Sequence, residues 1–493
     1  MKIFNRHMRT ALICFLLASA VAVAPGSAVT SSASVPTGKA DKVKNVIVMI
    51  ADGWGYSHVN AASYYESGEA GVQVYEDFPT AMAMSTYMFG GKYEPVQAWS
   101  DFNYVKSGVT DSAAAATAMS TGTKTYNGAI GVGINKNRLK NVIERAEERG
   151  KATGVVTTVP FSHATPAGFV VHNVNRSNYQ AIAREMVLES AVDVIMGSGN
   201  PWYNNDGQLR ATPNTYQYVG GKATWDALVE GTVGNDANGD AVNDPWHLVQ
   251  TRSEFQGLIH GPTPGRVIGV PQVFTTTQQE RSGNRFAAPY VVPLNTGTPS
   301  LEEMTRAAIN ILDNDPDGLF LMVEGGAVDW ASHANQSGRV IEEQIDFNHA
   351  VEAVVDWVKH NSNWGETLLI VTGDHETGYL LGPNSNPMWQ PLENNGAGNL
   401  PGMTWYSTSH TNSLIPFFAK GSYARFFKAY TSGYDPVRGN YIDNTEIGKV
   451  VFKSMDDPAD YDADDAGEGA EDDDHSKDAE DNAKRNSKDK RNR

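Results

Sequence analysis

Five short apolar runs recur along the chain: NVIVMIADG (45–53), ATGVVTTV (152–159), DVIMGSG (193–199), GLFLMVEGG (318–326) and TLLIVTGDHE (367–376). Runs of this length, rich in Val, Ile and Leu and separated by stretches of helical periodicity, predict parallel strands joined by crossover helices. The expected fold is therefore α/β, a three-layer sandwich with a central, largely parallel sheet and helices on both faces. Each run ends in a polar, often acidic, cluster. Ligands in open α/β sheets gather beyond the carboxyl ends of the strands, so these clusters are expected to converge although they lie hundreds of residues apart. Between about 200 and 300 the pattern lapses into Gly, Asn, Asp, Pro and Trp. A structureless loop of that length is uncommon inside a compact domain, which predicts a long insertion with a small structure of its own. A second irregular stretch spans roughly 382 to 405, and no internal repeat is visible.

The two ends of the chain read differently. Lys2, Arg6 and Arg9, the apolar stretch Ala11 to Val23, and the small residues Gly26 and Ala28 have the layout of an export signal, assigned to residues 1–28. That leaves a main domain at 36–455 and a tail at 456–493. The tail holds fifteen Asp or Glu against seven Lys or Arg, so −8 of the net −18 sits there, and without apolar periodicity it is expected to be disordered. The body is negative as well, which argues against a nucleic-acid partner. Cys14, the single cysteine, falls inside the signal. The mature chain is then held without disulfides, by a large core or by metals. No later stretch approaches the roughly 18 apolar residues of a membrane span, so the expectation is a soluble, exported protein, periplasmic or extracellular.

The strand ends carry the candidate chemistry. Asp52 leaves the first strand and is followed by Gly53, a pairing equally common in plain turns. Glu324 leaves another strand, and Asp329 and His333 stand four apart, which on a helix serves either a metal pair or a surface Asp–His pair. Asp374 and His375 follow the last strand, and His410 precedes the apolar run of SHTNSLIPFFAKG (409–421). A lone histidine is more often a satisfied polar group than a ligand. Seven such groups exceed what one zinc takes from a protein and suit two zincs and a harder, oxygen-bound ion. SHATPAGFVVHNVNR (162–176) adds the hydroxyl of Thr165 and Arg176, whose fork can grip two phosphate oxygens or form an ordinary salt bridge. In VTDSAAAATAMSTGTKTYNGAIGV (109–132), Asp111 and Ser112 open an Ala-rich helix, so Ser112 is either a cap or a nucleophile.

These blocks, together with ADGWG (51–55), VEGGAVDWASHANQ (323–336) and TGDHETG (372–378), closely resemble the alkaline phosphatase family, in the family's order, over residues 45 to about 420. The resemblance implies a phosphate monoesterase in which Ser112 becomes phosphorylated, Arg176 clamps phosphate and Asp111 orients that arginine. It implies one Zn2+ on Asp329, His333 and His410, a second on Asp52, Asp374 and His375, and one Mg2+ on Asp52, Thr165 and Glu324. It also implies a homodimer acting on small phosphate monoesters, with no membrane partner. A serine hydroxyl is a poor nucleophile at its ordinary pKa, and the positive end of a helix favours bound phosphate, so cap position and nucleophile are compatible.

Two positions depart from the enterobacterial pattern of Asp and Lys. His163 precedes Thr165, and Trp330 follows Asp329, as in marine and cold-adapted bacterial variants that this chain resembles here. Both bear on the third metal site, or simply pack beside it. His58, His172 and His349 are read as structural. A phosphodiesterase or sulfatase of the same superfamily, and a non-catalytic protein binding zinc or phosphate, are the competing readings.

Overall fold

The computed structural model describes residues 43–456. The export-signal reading, and the tail reading beyond Asp456, fall outside the described residues. Eleven strands form one sheet: β1 (Asn45–Ala51), β2 (Thr80–Ser85), β3 (Ala152–Pro160), β4 (Val194–Ser198), β5 (His247–Val249), β6 (Val267–Gly269), β7 (Leu319–Gly325), β8 (Thr367–Gly373), β9 (Ile415–Gly421), β10 (Gly433–Asp435) and β11 (Gly439–Asp443). Their order across the sheet is β10-β11-β2-β9-β8-β1-β7-β3-β4-β6-β5. From β8 to β5 every pairing is parallel; β9 runs antiparallel to both its neighbours, and β10 to β11.

The five runs named from the sequence are the five adjacent central strands, β8-β1-β7-β3-β4. Their side chains are buried on both faces, which is why they read as continuous apolar runs rather than alternating ones. One face packs against the helices Ser112–Thr121, Ala164–Val170, Tyr179–Leu188 and Thr445–Met455, and the other against Leu301–Leu312 and Ser337–Asn361. The 200–300 segment supplies β5 and β6 to one edge of the sheet, with helices Lys222–Val229 and Arg252–Gly257 beside them. No helix among the described residues is long and apolar enough to cross a membrane.

Register sets the position of the site. Ala51 on β1 stands level with Gly325 on β7 and Gly373 on β8, so Glu324, Asp52 and Asp374 leave the sheet along one edge. The helix that begins at Ser112 owes its alanines to packing. Ala116 lies against helix Ala164–Val170 so closely that a Cβ on Gly168 would stand 2.7 Å from the Ala116 Cβ, and a Cβ on Gly448 would stand 2.4 Å from the Gly122 nitrogen. Replacing Gly168 by Ala should therefore push the two helices apart, at a cost of about 1–3 kcal/mol. The expected outcome is a thermal midpoint lowered by a few degrees in calorimetry, with Gly168→Leu lower still.

Candidate functional site

Asp111, with extended backbone, caps helix Ser112–Thr121, its Oδ1 accepting from the Ala114 N–H at 2.9 Å. The cap is thus the aspartate, and Ser112 is the first helical residue, leaving its hydroxyl free of capping duty. Asp111 uses its other oxygen to accept from Arg176 Nη1 at 3.1 Å. Burial works against the charge of Arg176, but Asp111, Asp52 and Tyr179 together offset it and the guanidinium pKa rises. Helix cap, Ser112 and Arg176 are therefore locked to one another.

Ser112 Oγ stands 3.3 Å from His375 Nε2. The same nitrogen faces Asp374 Oδ2 at 3.1 Å and Asp52 Oδ1 at 3.5 Å, while His375 Nδ1 meets the Thr377 hydroxyl at 3.3 Å. A Ser-His-Asp triad needs its carboxylate on the nitrogen opposite the serine. Here serine and both carboxylates crowd one nitrogen, which is a ligand geometry. Burial, then His410, His333 and Arg176, drive the His375 pKa far down, so the ring is neutral with a lone pair to offer.

His333 and His410 repeat the pattern. Their Nδ1 atoms lie 2.7 and 2.9 Å from the backbone carbonyls of Thr408 and Thr110, and as N–H donors there leave Nε2 bare on each ring. Those two nitrogens face each other at 3.0 Å, with Asp329 carboxylate oxygens 3.4 and 3.6 Å away. Two lone pairs at that distance require a proton or a cation between them. Asp329 comes from the short helix Ala327–His333, whose spacing puts it on the same face as His333, and Thr377 fixes its Oδ1 by donating at 2.6 Å.

The third group gathers at Glu324, 1% exposed, which accepts from the Thr157 hydroxyl aligned with it on β3. Asp52 Oδ1 and Asp374 Oδ2 are buried without a hydrogen-bond partner, and Thr165 Oγ1 is buried beside Glu324. Buried polar atoms left unpaired cost free energy, and the two carboxylate oxygens, which both face His375 Nε2, fit an ion that they would ligate. Burial, followed by Asp374, Asp329 and Glu324, raises Asp52 well above its ordinary pKa. Burial likewise lifts Glu324 to about 7 against the pull of Thr157 and Thr165, and Asp374 to about 7. Two triads converge closely enough to hold an ion: Asp329 with His333 and His410, and Asp52 with Asp329 and His375. Asp329 thus reaches both.

Gly53 makes this crowding possible. Its φ is +76°, its N–H donates to Asp374 Oδ1 at 3.0 Å, and a Cβ there would lie 2.8 Å from the Asp329 Cα. His163 stacks on Tyr179 at 5.4 Å and lies 5.3 Å from Trp330. Burial and the nearby Arg176 depress its pKa to about 3, so it is neutral. An open cleft of about 560 Å³ above these groups is lined by Asp111, Ser112, His163, Arg176, Trp330 and His410, with Asn127 and Glu280 on its walls. Thr157, Thr377, Tyr179 and Glu280 were not singled out by sequence; only the polar end of ATGVVTTV offered a hint, at Thr157. The histidines read as structural lie elsewhere: His58 packs against Ser332 and Trp405, His172 against Leu139 and Glu185, and His349 near Glu66.

Fold and site together define an α/β protein in which a helix-borne serine faces a cluster of carboxylates and imidazoles able to hold metal ions. Residues 43–401 match the model of the alkaline phosphatase family. The chain is 34% identical over 359 residues to alkaline phosphatase 3 of Bacillus subtilis, an alignment that covers 71% of this chain but only 65%, just under two thirds, of that relative. It is 28% identical over 482 residues to streptomycin-6-phosphate phosphatase of Streptomyces griseus, covering 89% of this chain and 96% of the relative. The cold-active alkaline phosphatase of Shewanella sp. shares the fold, with a TM-score of 0.61, 24% identity, and 84% of this chain and all of that one covered. This chain belongs to the alkaline phosphatase family, a family of metal-dependent hydrolases.

The raised carboxyl pKa values fix how the metal-stripped protein should respond to pH. A carboxyl whose folded pKa exceeds its unfolded value stabilises fully below the unfolded value, and that contribution is lost as pH rises through the folded one. For Glu324 and Asp374 the window runs from ordinary values of 4.5 and 3.8 up to about 7. The thermal midpoint of chelator-treated protein should fall across that window relative to the metal-loaded form, and added zinc should restore it most at the alkaline end. A midpoint gap independent of pH would contradict the crowding described here.

Proposed function

We propose that this protein is an exported phosphomonoesterase of broad specificity that works through a phosphoserine on Ser112. The single observation that carries the reading is Ser112 Oγ, held at a helix start and 3.3 Å from a bare imidazole nitrogen that two buried carboxylates also face. Asp329, His333 and His410 would hold one zinc ion and Asp52, Asp374 and His375 the other, with Asp52, Thr165 and Glu324 around a magnesium-type ion. When bound, such ions lower the pKa of hydroxyl and water and neutralise charge on the phosphoryl group and leaving oxygen.

The chain's own groups do the rest. Ser112 Oγ gives up its proton to solvent and bonds phosphorus while the bond from phosphorus to the ester oxygen breaks, and that oxygen takes a proton from solvent and leaves as the alcohol. The free N–H groups of the first helical turn and the fork of Arg176 take the nonbridging oxygens, and Asp111 keeps that fork aimed. Water then attacks the phosphoserine from the vacated side, giving inorganic phosphate and free Ser112. Two in-line displacements leave the configuration at phosphorus retained. Monoester hydrolysis can require acceleration of about 10²¹-fold, far beyond the roughly 10² to 10⁴ that one positioned acid or base provides, so a lone Ser–His pair would not suffice.

Arg176 favours the dianionic monoester over a diester or sulfate ester, because extra positive charge helps most where charge is greatest. A relative named streptomycin-6-phosphate phosphatase supports the same class. The open cleft supports breadth. Export rests on the pattern at residues 1–28, and a homodimer on family resemblance.

Ser112→Ala should reduce hydrolysis of an aryl phosphate by at least about 10³-fold with zinc and magnesium supplied. Steady-state rates of the two proteins check this, and equal rates would mean direct attack by water. Trp330→Lys should place a cation beside bound phosphate, slowing turnover and tightening inhibition by inorganic phosphate several-fold. Unchanged inhibition would leave Trp330 as packing alone.

A further inference from the structure

Beside the start of helix Tyr56–Ser67 lies a cavity that takes no part in this chemistry. Its walls include Tyr56, Trp99, Phe102, Tyr379 and Trp389, and Arg438 closes one side. The guanidinium carbon of Arg438 sits 3.8 Å over the Tyr56 ring and 5.7 and 5.6 Å from the rings of Trp99 and Trp389. Those two tryptophans meet edge to face at 5.9 Å. Lys106 adds a second cation at the rim, its Nζ 5.0 Å over Phe102 and 5.4 Å over Tyr379.

Asp435 lends Arg438 charge support from a distance, but among the described residues neither cation forms an ion pair. Among the described residues no side-chain N–H of Arg438 donates to an acceptor, and Lys106 has no carboxylate within ion-pair reach. Glu376, which lines the cavity, and Asp435, which is bonded to its wall residues Tyr93 and Trp99, are both already engaged. Asp435 accepts from the Tyr93 hydroxyl at 2.8 Å, from Trp99 Nε1 at 2.9 Å and from the N–H groups of Val437 and Arg438. Glu376 accepts from Thr411 and from the Leu380 N–H. An arginine has five donors, and leaving them unpaired among rings forfeits strong charge-assisted bonds. A concave site walled by aromatic and aliphatic side chains with a few polar groups is the common form of a small-ligand pocket.

Size and charge narrow the ligand. The space measures about 70 Å³, and since each water needs about 10–15 Å³ on that measure, it admits one ring rather than a polycycle. Asp435 stands near the guanidinium and Glu376 lines the same cavity, so a single negative charge fits better than a dianion. A carboxylate matches the planar fork of arginine with two parallel hydrogen bonds. We propose that this cavity binds a monocyclic aromatic carboxylate, its ring against Trp99 and Trp389 and its carboxylate on Arg438.

The inference uses no step of the hydrolytic reading, and its test does not depend on activity. Full-length, metal-loaded protein would be titrated into 4-fluorobenzoate and followed by fluorine NMR line broadening. Saturable binding is expected, with the neutral isostere 4-fluorobenzamide weaker by at least about tenfold. Arg438→Gln should weaken benzoate by a similar factor while retaining whatever aryl phosphate hydrolysis the unmodified protein shows. Excess inorganic phosphate should not displace the probe. Equal affinity for the amide, undiminished binding by Arg438→Gln, displacement by phosphate, or no saturable broadening would each overturn the assignment. Should Arg438→Gln fail to fold, the comparison of acid and amide on the unmodified protein decides.

Discussion

Four carboxylates and three imidazoles meet where neighbouring parallel strands end, and their mutual repulsion is the constraint to which the surrounding structure answers. Asp52, Glu324 and Asp374 are almost wholly buried, as are Asp329 and His375. In an interior of low dielectric such a cluster opposes folding until protons or cations compensate it. The protein nonetheless holds each group in a fixed direction. Thr377 ties Asp329, Thr157 ties Glu324, the Gly53 N–H ties Asp374, and two backbone carbonyls orient the rings of His333 and His410. These partners are spent on orientation, leaving the inward lone pairs bare. Preorganisation of this kind has value only if a positive centre occupies the space between them.

The scaffold that carries the cluster was legible in the sequence because its signal is local. The five central strands are buried on both faces, so each appears as an uninterrupted apolar run, and apart from Thr165 and His410 every candidate ligand lies at or just past the end of such a run or within one helical turn of another ligand. The antiparallel members were harder to read. β2, with sequence TAMAMS, has one exposed and one half-buried residue near its start, and β10 and β11 span only three and five residues. Such strands exist by virtue of the neighbours they pair with, and no window of sequence contains those neighbours. β5 and β6 are three residues each, and they turn the edge of the 200–300 segment into part of the main sheet.

Within the site, ligand types were readable and their supports were not. Asp, His and Glu at strand ends advertise metal chemistry, whereas a threonine that donates to a ligand is indistinguishable in sequence from one that fills a strand. Thr157 and Thr377 belong to this group. Asp111 shows the opposite case, in which one residue satisfies two demands at once. Its extended backbone and carboxylate end a loop and start a helix, a role any good cap could fill. Its second oxygen then holds Arg176, and this use depends on a residue 65 positions away.

The alanine run after Ser112 ties these levels together. Alanine gives the best helix propensity at no side-chain entropy cost, but propensity alone would accept Lys or Glu at several of these positions. Contact with Gly168 and Gly448 admits no larger side chain at the interface. Close packing on two sides immobilises the helix, and with it the N–H groups and the serine at its first turn. The aromatic rings beyond act similarly on the other wall of the cleft. Trp330, His163, Tyr179, Tyr218 and Phe274 follow one another at centroid distances of 5.2 to 5.7 Å. The last two rings come from the 200–300 segment, which also sends Glu280 to the cleft wall. That segment is therefore part of the buttress behind His163, and its irregular sequence follows from that duty. It must place a few rings and one carboxylate against existing surfaces rather than repeat a pattern of its own.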